Sequence, residues 1–299
     1  MNGPRIVWLP DGRRLHMNHG PIDLVVEAFG AAGEVKAAYR QAARRFQTIL
    51  GELVEELTEL RRPSSLKRRS FAGPTARRME VAASRFAEIF VTPMAAVAGS
   101  VADEMLAAML AGRSLDRAYV NDGGDIAIHL AKGQSMKAAI AGALHGLSDR
   151  LVIRADDRVR GIATSGWRGR SFSFGIADAV TVLAKDGASA DVAATLIANA
   201  VDLPRHPAIR RQCACDIQPD SDLGERLVTT DVGLLGDNEI TLALERGRAV
   251  AEDYRRHGLI EAAALFLGGQ SRICGDDFVE KATLLRAPIF KSHMEPQHA

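Results

Sequence analysis

The chain has 299 residues, 47% of them hydrophobic and 25% charged, which is enough apolar material for a sizeable core in one large domain or two intimate ones. A formal net charge of +1 provides no global field that would select nucleic acid or a membrane surface. Cys213, Cys215 and Cys274 are too few for a disulfide framework and lack zinc-knuckle spacing, so they read as reduced thiols. No apolar run reaches the roughly 18 residues of a membrane span, and the N-terminus has no hydrophobic signal region, so a cytoplasmic protein is expected.

Residues 5–9 and 24–28 read as strands, with Asp11-Gly12 and His19-Gly20-Pro21 as turns. From 33 to 62 the apolar residues Val35, Tyr39, Ala42, Phe46, Ile49, Leu53, Leu57 and Leu60 recur at helical spacing, and Pro63 ends the run. A second amphipathic stretch covers 75–90. Residues 93–110 are rich in Ala, with Gly99 and Ser100 inside, and Gly112 marks their end. Strands follow at 117–120 and 125–130. Residues 150–154 and 159–164 read as a hairpin through Asp156-Asp157, and 177–184 as another strand. Residues 189–201 form a helix with Ser189 as N-cap and Asp191 in its first turn, where the dipole favours an anion. A polar stretch at 210–222 precedes a strand at 227–232, and 239–256 is a further amphipathic helix. The irregular alternation favours an α+β fold, with mixed or antiparallel sheets and packed helices, over a doubly wound sheet. The expected organisation is one domain over 1–290, or two intimate subdomains over about 1–115 and 116–290, then a flexible tail at 291–299. The long helix and the small-residue helix both offer faces for a homodimer.

Three constellations carry chemistry. Asn121-Asp122-Gly123-Gly124-Asp125 lies between two strands. Paired glycines take positive φ and let amides cradle an anion, and Asp125 offers a carboxylate; an ordinary tight hairpin uses the same residues. Thr164-Ser165-Gly166 ends a strand with hydroxyls and amides, and Arg168, Arg170 and Ser173 follow in a segment rich in aromatic residues. Arginine pairs with phosphate or carboxylate; the alternative is a Gly-rich turn with its rings packed inward. Asp191 and Thr195 stand one helical turn apart on one face, where two hard oxygens suit Mg2+; alternatively Asp191 supports the helix start and Thr195 packs.

The order of these segments resembles the ApbE superfamily: Asn-x-Gly-Gly-Asp at 121–125, Ala-Thr-Ser-Gly at 163–166, a strand at 179–183, and Ala-Asp-xxx-Thr at 190–195. Gly99-Ser100-Val101-Ala102-Asp103 is similar to the family's preceding Gly-x-Ala-x-Asp segment. Flanking segments at 19–24, 93–99, 171–182 and 220–228 resemble the family's soluble, uncharacterised branch. The resemblance implies an ApbE-like fold and Mg2+ at Asp191 and Thr195, helped by a carbonyl near Ser100–Val101. It also implies FAD or FMN as ligand, with FMN transfer to a partner protein's Thr in the transferases proper. Where those transferases carry His-x-x-Asp-Pro-x-x-Gly, this chain has Arg170 to Gly175, and Ala98 replaces their usual Lys. The expectation is therefore a binding protein or enzyme for a small anionic or phosphorylated heterocycle, flavin- or pterin-like. The alternatives are a Mg2+-dependent FAD:protein FMN transferase and a non-catalytic scaffold with a vestigial pocket.

Overall fold

A computed structural model describes residues 3–139 and 150–275; the tail expected at 291–299 lies outside them. The chain opens with an antiparallel meander, β1 (Arg5–Trp8), β2 (Leu15–His19) and β3 (Ile22–Phe29). Three helices follow, α1 (Ala32–Glu55), α2 (Leu57–Leu60) and α3 (Pro74–Ala83), then 3-10 turns at Ser84–Phe86 and Pro93–Ala96 that lead into α4 (Val97–Leu110). Next come β4 (Arg117–Asp122), β5 (Asp125–Leu130), β6 (Ser135–Ala139), β7 (Arg150–Arg154), β8 (Gly161–Ser165), β9 (Ala179–Ala184) and α5 (Gly187–Ala200). The chain continues through β10 (Ile209–Cys213), α6 (Ala214–Ile217), β11 (Leu227–Val232), α7 (Asp237–Arg256), β12 (Ala262–Leu267) and β13 (Gln270–Cys274). The fold is α+β.

Nine strands form one sheet in the order β1-β2-β3-β4-β5-β8-β9-β12-β13, and every neighbouring pair is antiparallel. Successive side chains point to opposite faces. Ala127, Ala163, Val180, Val182, Ala263 and Leu265 therefore enter the main core with the helices. Ile128, Ile162, Leu183, Ala262 and Ala264 enter a smaller core on the other face, closed by Leu151 and Ile153 of the β6–β7 ribbon. All six residues of β9 are buried, and the one polar side chain among them, Thr181, is hydrogen-bonded to Thr164. On α1 the helical period brings Phe46 and Ile49 to full burial, worth roughly 1.5–3 kcal/mol each.

Several sequence expectations need correcting. The helix expected over 33–62 breaks at Glu56, whose carboxylate turns aside to accept N–H bonds from Ala72 at 2.7 Å and Gly73 at 2.9 Å, the entry to α3. No hairpin joins β7 to β8. The turn after β7 exists, but β7 pairs with β6, while β8 inserts between β5 and β9. Ser189 is not the N-cap of α5. Asp186 is, accepting the Ser189 N–H at 2.7 Å, so Asp191 falls beyond the first turn. Pro93–Leu110, with a mean hydropathy of 1.3 over 18 residues, is long and apolar enough to cross a membrane by length and composition. It carries Asp103 and the buried Glu104, and it packs against α1, α3 and α5. The strands β2, β6, β10, β12 and β13 had no counterpart in the sequence expectation.

Candidate functional site

The site is built on the crossing of α4 and α5. Gly99 and Gly187 bring the two backbones together so closely that a Cβ on Gly99 would lie 2.2 Å from the Gly187 carbonyl oxygen. Each helix then caps the other. Asp103 of α4 accepts the N–H groups of Gly187 and Ala188, both at 2.9 Å, where α5 begins. Asp191 of α5 accepts the Gly99 N–H at 3.0 Å in the first turn of α4. These carboxylates satisfy amides that a helix N-terminus leaves open, and each anion meets the positive end of the other helix's dipole. Gly99 of α4 is thus spent on the contact with α5.

Beside this crossing, the β4–β5 hairpin turns through Gly123 (φ 63°) and Gly124 (φ 120°), the left-handed region that favours glycine. Asn121 Oδ1 accepts the Gly124 N–H at 2.8 Å, so that amide serves the turn. Asp125 Oδ1 accepts the Thr164 N–H at 3.2 Å and ties the hairpin to β8. Arg170, on the loop after β8, lies against Gly123: a Cβ there would sit 2.0 Å from its Nη2.

One cavity of about 390 Å3 is lined by Asp125, Arg170, Asp191 and Thr195, together with Arg61, Asn199 and Asp220. Three carboxylates converge on this region. Burial pushes the Asp122 carboxyl up to about 7, against the nearby Arg170 charge. Asp125 is raised by burial and by the Asp122 charge. Asp191 is held well above its ordinary range by burial and by Asp125 and Asp122, despite its bond from Gly99. Asp103, raised by burial to about 6, faces the α5 amides. Among the described residues no group of three or more His, Cys, Asp or Glu side chains is arranged to hold a metal ion.

Asp125, Arg170, Asp191 and Thr195 are thus brought together, and Asn121, Gly123, Gly124 and Thr164 position them. The remaining expected residues do not line this cavity. Arg168 pairs with Asp178 at 2.9 Å and lies over Trp167. Thr164 Oγ1 bonds Thr181 Oγ1 at 2.9 Å. Ser165 pairs with Val180 in the sheet, buried Gly166 lies against the Asp178 carbonyl, and Ser173 Oγ donates to Asn199 Oδ1 at 3.1 Å. Sequence reasoning missed Arg61, which pairs with Asp220 at 2.7 Å across 159 residues, and the Thr92–Asp222 bond beside it. No local pattern marks either contact. Asp122 was legible as part of the Asn-x-Gly-Gly-Asp segment but was not singled out.

Comparison with known proteins gives the relationship. The UPF0280 protein of Methanothrix thermoacetophila is 36% identical over 165 residues, which cover 54% of this chain and 65% of the relative. That of Methanothermobacter thermautotrophicus is 37% identical over 134 residues, 44% of this chain and 50% of the relative. The matched regions thus span about half to two-thirds of these curated relatives. Among solved structures, the flavin transferase ApbE from Vibrio cholerae is similar with a TM-score of 0.49 and 14% identity, covering 93% of this chain and 99% of that one. The apo form of Pseudomonas stutzeri flavinyl transferase ApbE is similar with a TM-score of 0.46 and 14% identity, covering 94% and 98%. A family model described as AbpE bacteria matches residues 6–273. That match takes in nearly the whole chain, including both glycine turns and the α4–α5 crossing, and the protein belongs to this family.

Proposed function

We propose that the chain binds a small anionic ligand, a phosphorylated heterocycle of the flavin or pterin class, with Mg2+ held at Asp191 and Thr195. One observation carries this reading: Asp125 from β5, Arg170 from the loop after β8, and Asp191 and Thr195 from α5 all line a single cavity of about 390 Å3. The resemblance of the 121–125, 163–166 and 190–195 segments to the ApbE superfamily supports the flavin class.

The donor set fits the ion. Two carboxylates and a hydroxyl are hard oxygens, and Mg2+ is commonly bound through one or two carboxylates plus phosphate oxygens and water. Burial raises the proton affinity of all three carboxylates, the Asp122 charge adds to the effect on Asp125, and the Asp125 and Asp122 charges add to that on Asp191, so a divalent cation offsets a real electrostatic cost. The buried Ser100 hydroxyl, next to Gly99, has no partner among the described residues. When bound, the metal neutralises and polarises a ligand phosphate. Arg170 supplies a planar fork of N–H donors to the same anion. Asp191 is kept in place by the Gly99 N–H, and Thr195 presents its hydroxyl from the next turn.

The test is a thermal shift of the full chain with FMN and with inorganic pyrophosphate, each with and without Mg2+. The expected result is stabilisation by each ligand that is larger when Mg2+ is present. No shift under any of the four conditions would overturn the reading.

A further inference from the structure

Arg61 lines the anion cavity, yet its charge is given to another residue. Its place follows from the break in the long N-terminal helix. After Glu56 the chain re-enters a helix at α2, Leu60 is buried, and the Arg61 N–H donates to the Leu57 carbonyl at 3.0 Å. That anchored backbone brings the Arg61 guanidinium to the cavity that Asp125, Arg170, Asp191 and Thr195 line. Of its donors only Nη2 is engaged, to Asp220 Oδ2 at 2.7 Å. Nε and Nη1 have no hydrogen-bond partner among the described residues.

Asp220 comes from the segment between α6 and β11, which also brings Gln218, Ser221, Asp222 and Leu223 to the cavity wall. This segment is held without Asp220. Its base is closed by the Ala214 N–H, which donates to the Arg226 carbonyl at 2.9 Å, and by the Cys215 N–H, which donates to the Gly224 carbonyl at 3.0 Å. The buried Thr92 hydroxyl donates to Asp222, and the Arg226 guanidinium lies 3.3 Å from the centre of the Phe90 ring. The Asp220 side chain is 64% exposed, and its other oxygen accepts only from Gln218 Nε2 at 3.2 Å. An ion pair this open to water contributes little to stability. The bond from Arg61 holds the Asp220 carboxyl below its ordinary range, so it is ionised at neutral pH.

The charges of the cavity are unevenly matched. Asp125, Asp191, Asp220 and Asp222 line it against Arg61 and Arg170 alone. With Arg61 tied to Asp220, Arg170 is the one lining cation left for an anion among the described residues. A carboxylate and a phosphate offer an arginine fork the same kind of charged oxygen, and the phosphate offers more charge and more oxygens. Asp220 therefore holds, on Arg61, the position of a ligand oxygen.

We propose that Arg61 is a second anion-binding residue of this cavity and that Asp220 is an internal competitor for it, displaced when a phosphate group of the ligand takes the Arg61 fork. This assignment rests on the reading of the cavity as an anion site. It adds a binding residue and a threshold: an incoming anion gains Arg61 only by outcompeting a carboxylate already in place, which favours phosphate and diphosphate groups over a single carboxylate.

Calorimetric titration of the full chain with inorganic pyrophosphate in Mg2+ tests this in wild type, Asp220→Asn, Arg61→Ala and the double variant. Asn keeps the shape of Asp220 and removes its charge, while Thr92–Asp222 and Arg226–Phe90 still hold the segment. The expected result is affinity raised threefold or more in Asp220→Asn and lowered fivefold or more in Arg61→Ala. The double variant should lie within twofold of Arg61→Ala, because without Arg61 there is no cation for Asp220 to mask. Asp220→Ser repeats the test if Asp220→Asn disturbs folding. Unchanged or weaker binding in Asp220→Asn, or unchanged binding in Arg61→Ala, would overturn the proposal. Equal tightening by Asp220→Asn with and without Arg61 would also overturn it, since the effect would then come from net charge alone. In each of these cases weakened pyrophosphate binding in Arg170→Ala leaves the anion site standing. Failure of both wild type and Asp220→Asn to bind pyrophosphate would overturn the anion site and this proposal with it.

Discussion

Gly99→Ala tests how the site is held. The added Cβ would lie 2.2 Å from the Gly187 carbonyl oxygen, 2.4 Å from its carbon and 2.8 Å from the Ala188 nitrogen. All three are backbone atoms, and none can rotate away. Restoring ordinary contact, about 3.5 Å between non-bonded heavy atoms, requires α4 and α5 to part by about 1 Å. That movement lengthens the Gly99–Asp191 bond of 3.0 Å and the two Asp103 bonds of 2.9 Å towards the limit of useful hydrogen bonding. Overpacking costs about 1–3 kcal/mol, and weakened bonds to a charged acceptor about 1.5–3 kcal/mol each when lost. Better helix propensity returns about 0.5–1 kcal/mol. The expected net loss is about 3 kcal/mol or more, read by urea denaturation at neutral pH against wild type. A variant as stable as wild type, or more stable through helix propensity alone, would refute the close crossing.

Asp103→Ala removes the acceptor for two α5 amides and should cost about 2–4 kcal/mol in the same assay; a loss under about 0.5 kcal/mol would deny its capping role. Gly123→Ala combines a φ of 63° with a Cβ 2.0 Å from Arg170 Nη2, the end of a flexible side chain. The fold should lose only about 1–2 kcal/mol, while pyrophosphate affinity falls roughly tenfold because Arg170 is displaced; unchanged affinity would separate Arg170 from the anion site. Asp122 supplies a pH signature. Its folded carboxyl keeps a proton up to about 7, whereas the unfolded chain releases it near 3.8. The folded state binds more protons between those values, so this contribution is full at low pH and is lost as pH rises through about 7. It amounts to at most on the order of 4 kcal/mol. Asp122→Asn should therefore stabilise the ligand-free chain at pH about 8 more than at pH about 4; the reverse order would contradict the burial argument.

Periodicity made much of this fold legible. The apolar period of α1, the fully buried run of β9 and the Gly-Gly turn between β4 and β5 all follow from local patterns. Contacts between distant segments were not legible. Ser189 matched cap preference, but Asp186, three residues earlier, holds its N–H. Asp191 was legible as a carboxylate one turn from Thr195, yet nothing local shows that it caps a helix 92 residues away. Of two arginines in one loop, Arg168 turns to Asp178 and Arg170 to the cavity, and nothing local distinguishes them. Arg61 sits in a basic run that reads as solvated loop, and only the fold brings Asp220 to it. β7 found its partner in β6 because register and burial on the second face decide pairing, and proximity across one turn does not.

We propose that the α4–α5 crossing presents Asp191 and Thr195 to a metal-bound anion. Calorimetric titration of pyrophosphate with and without Mg2+ tests it in wild type and Asp191→Asn, which retains a carbonyl oxygen for the Gly99 N–H. Mg2+-dependent binding in wild type and loss of that dependence in a folded Asp191→Asn are expected. Equal Mg2+ dependence in the two proteins would contradict it.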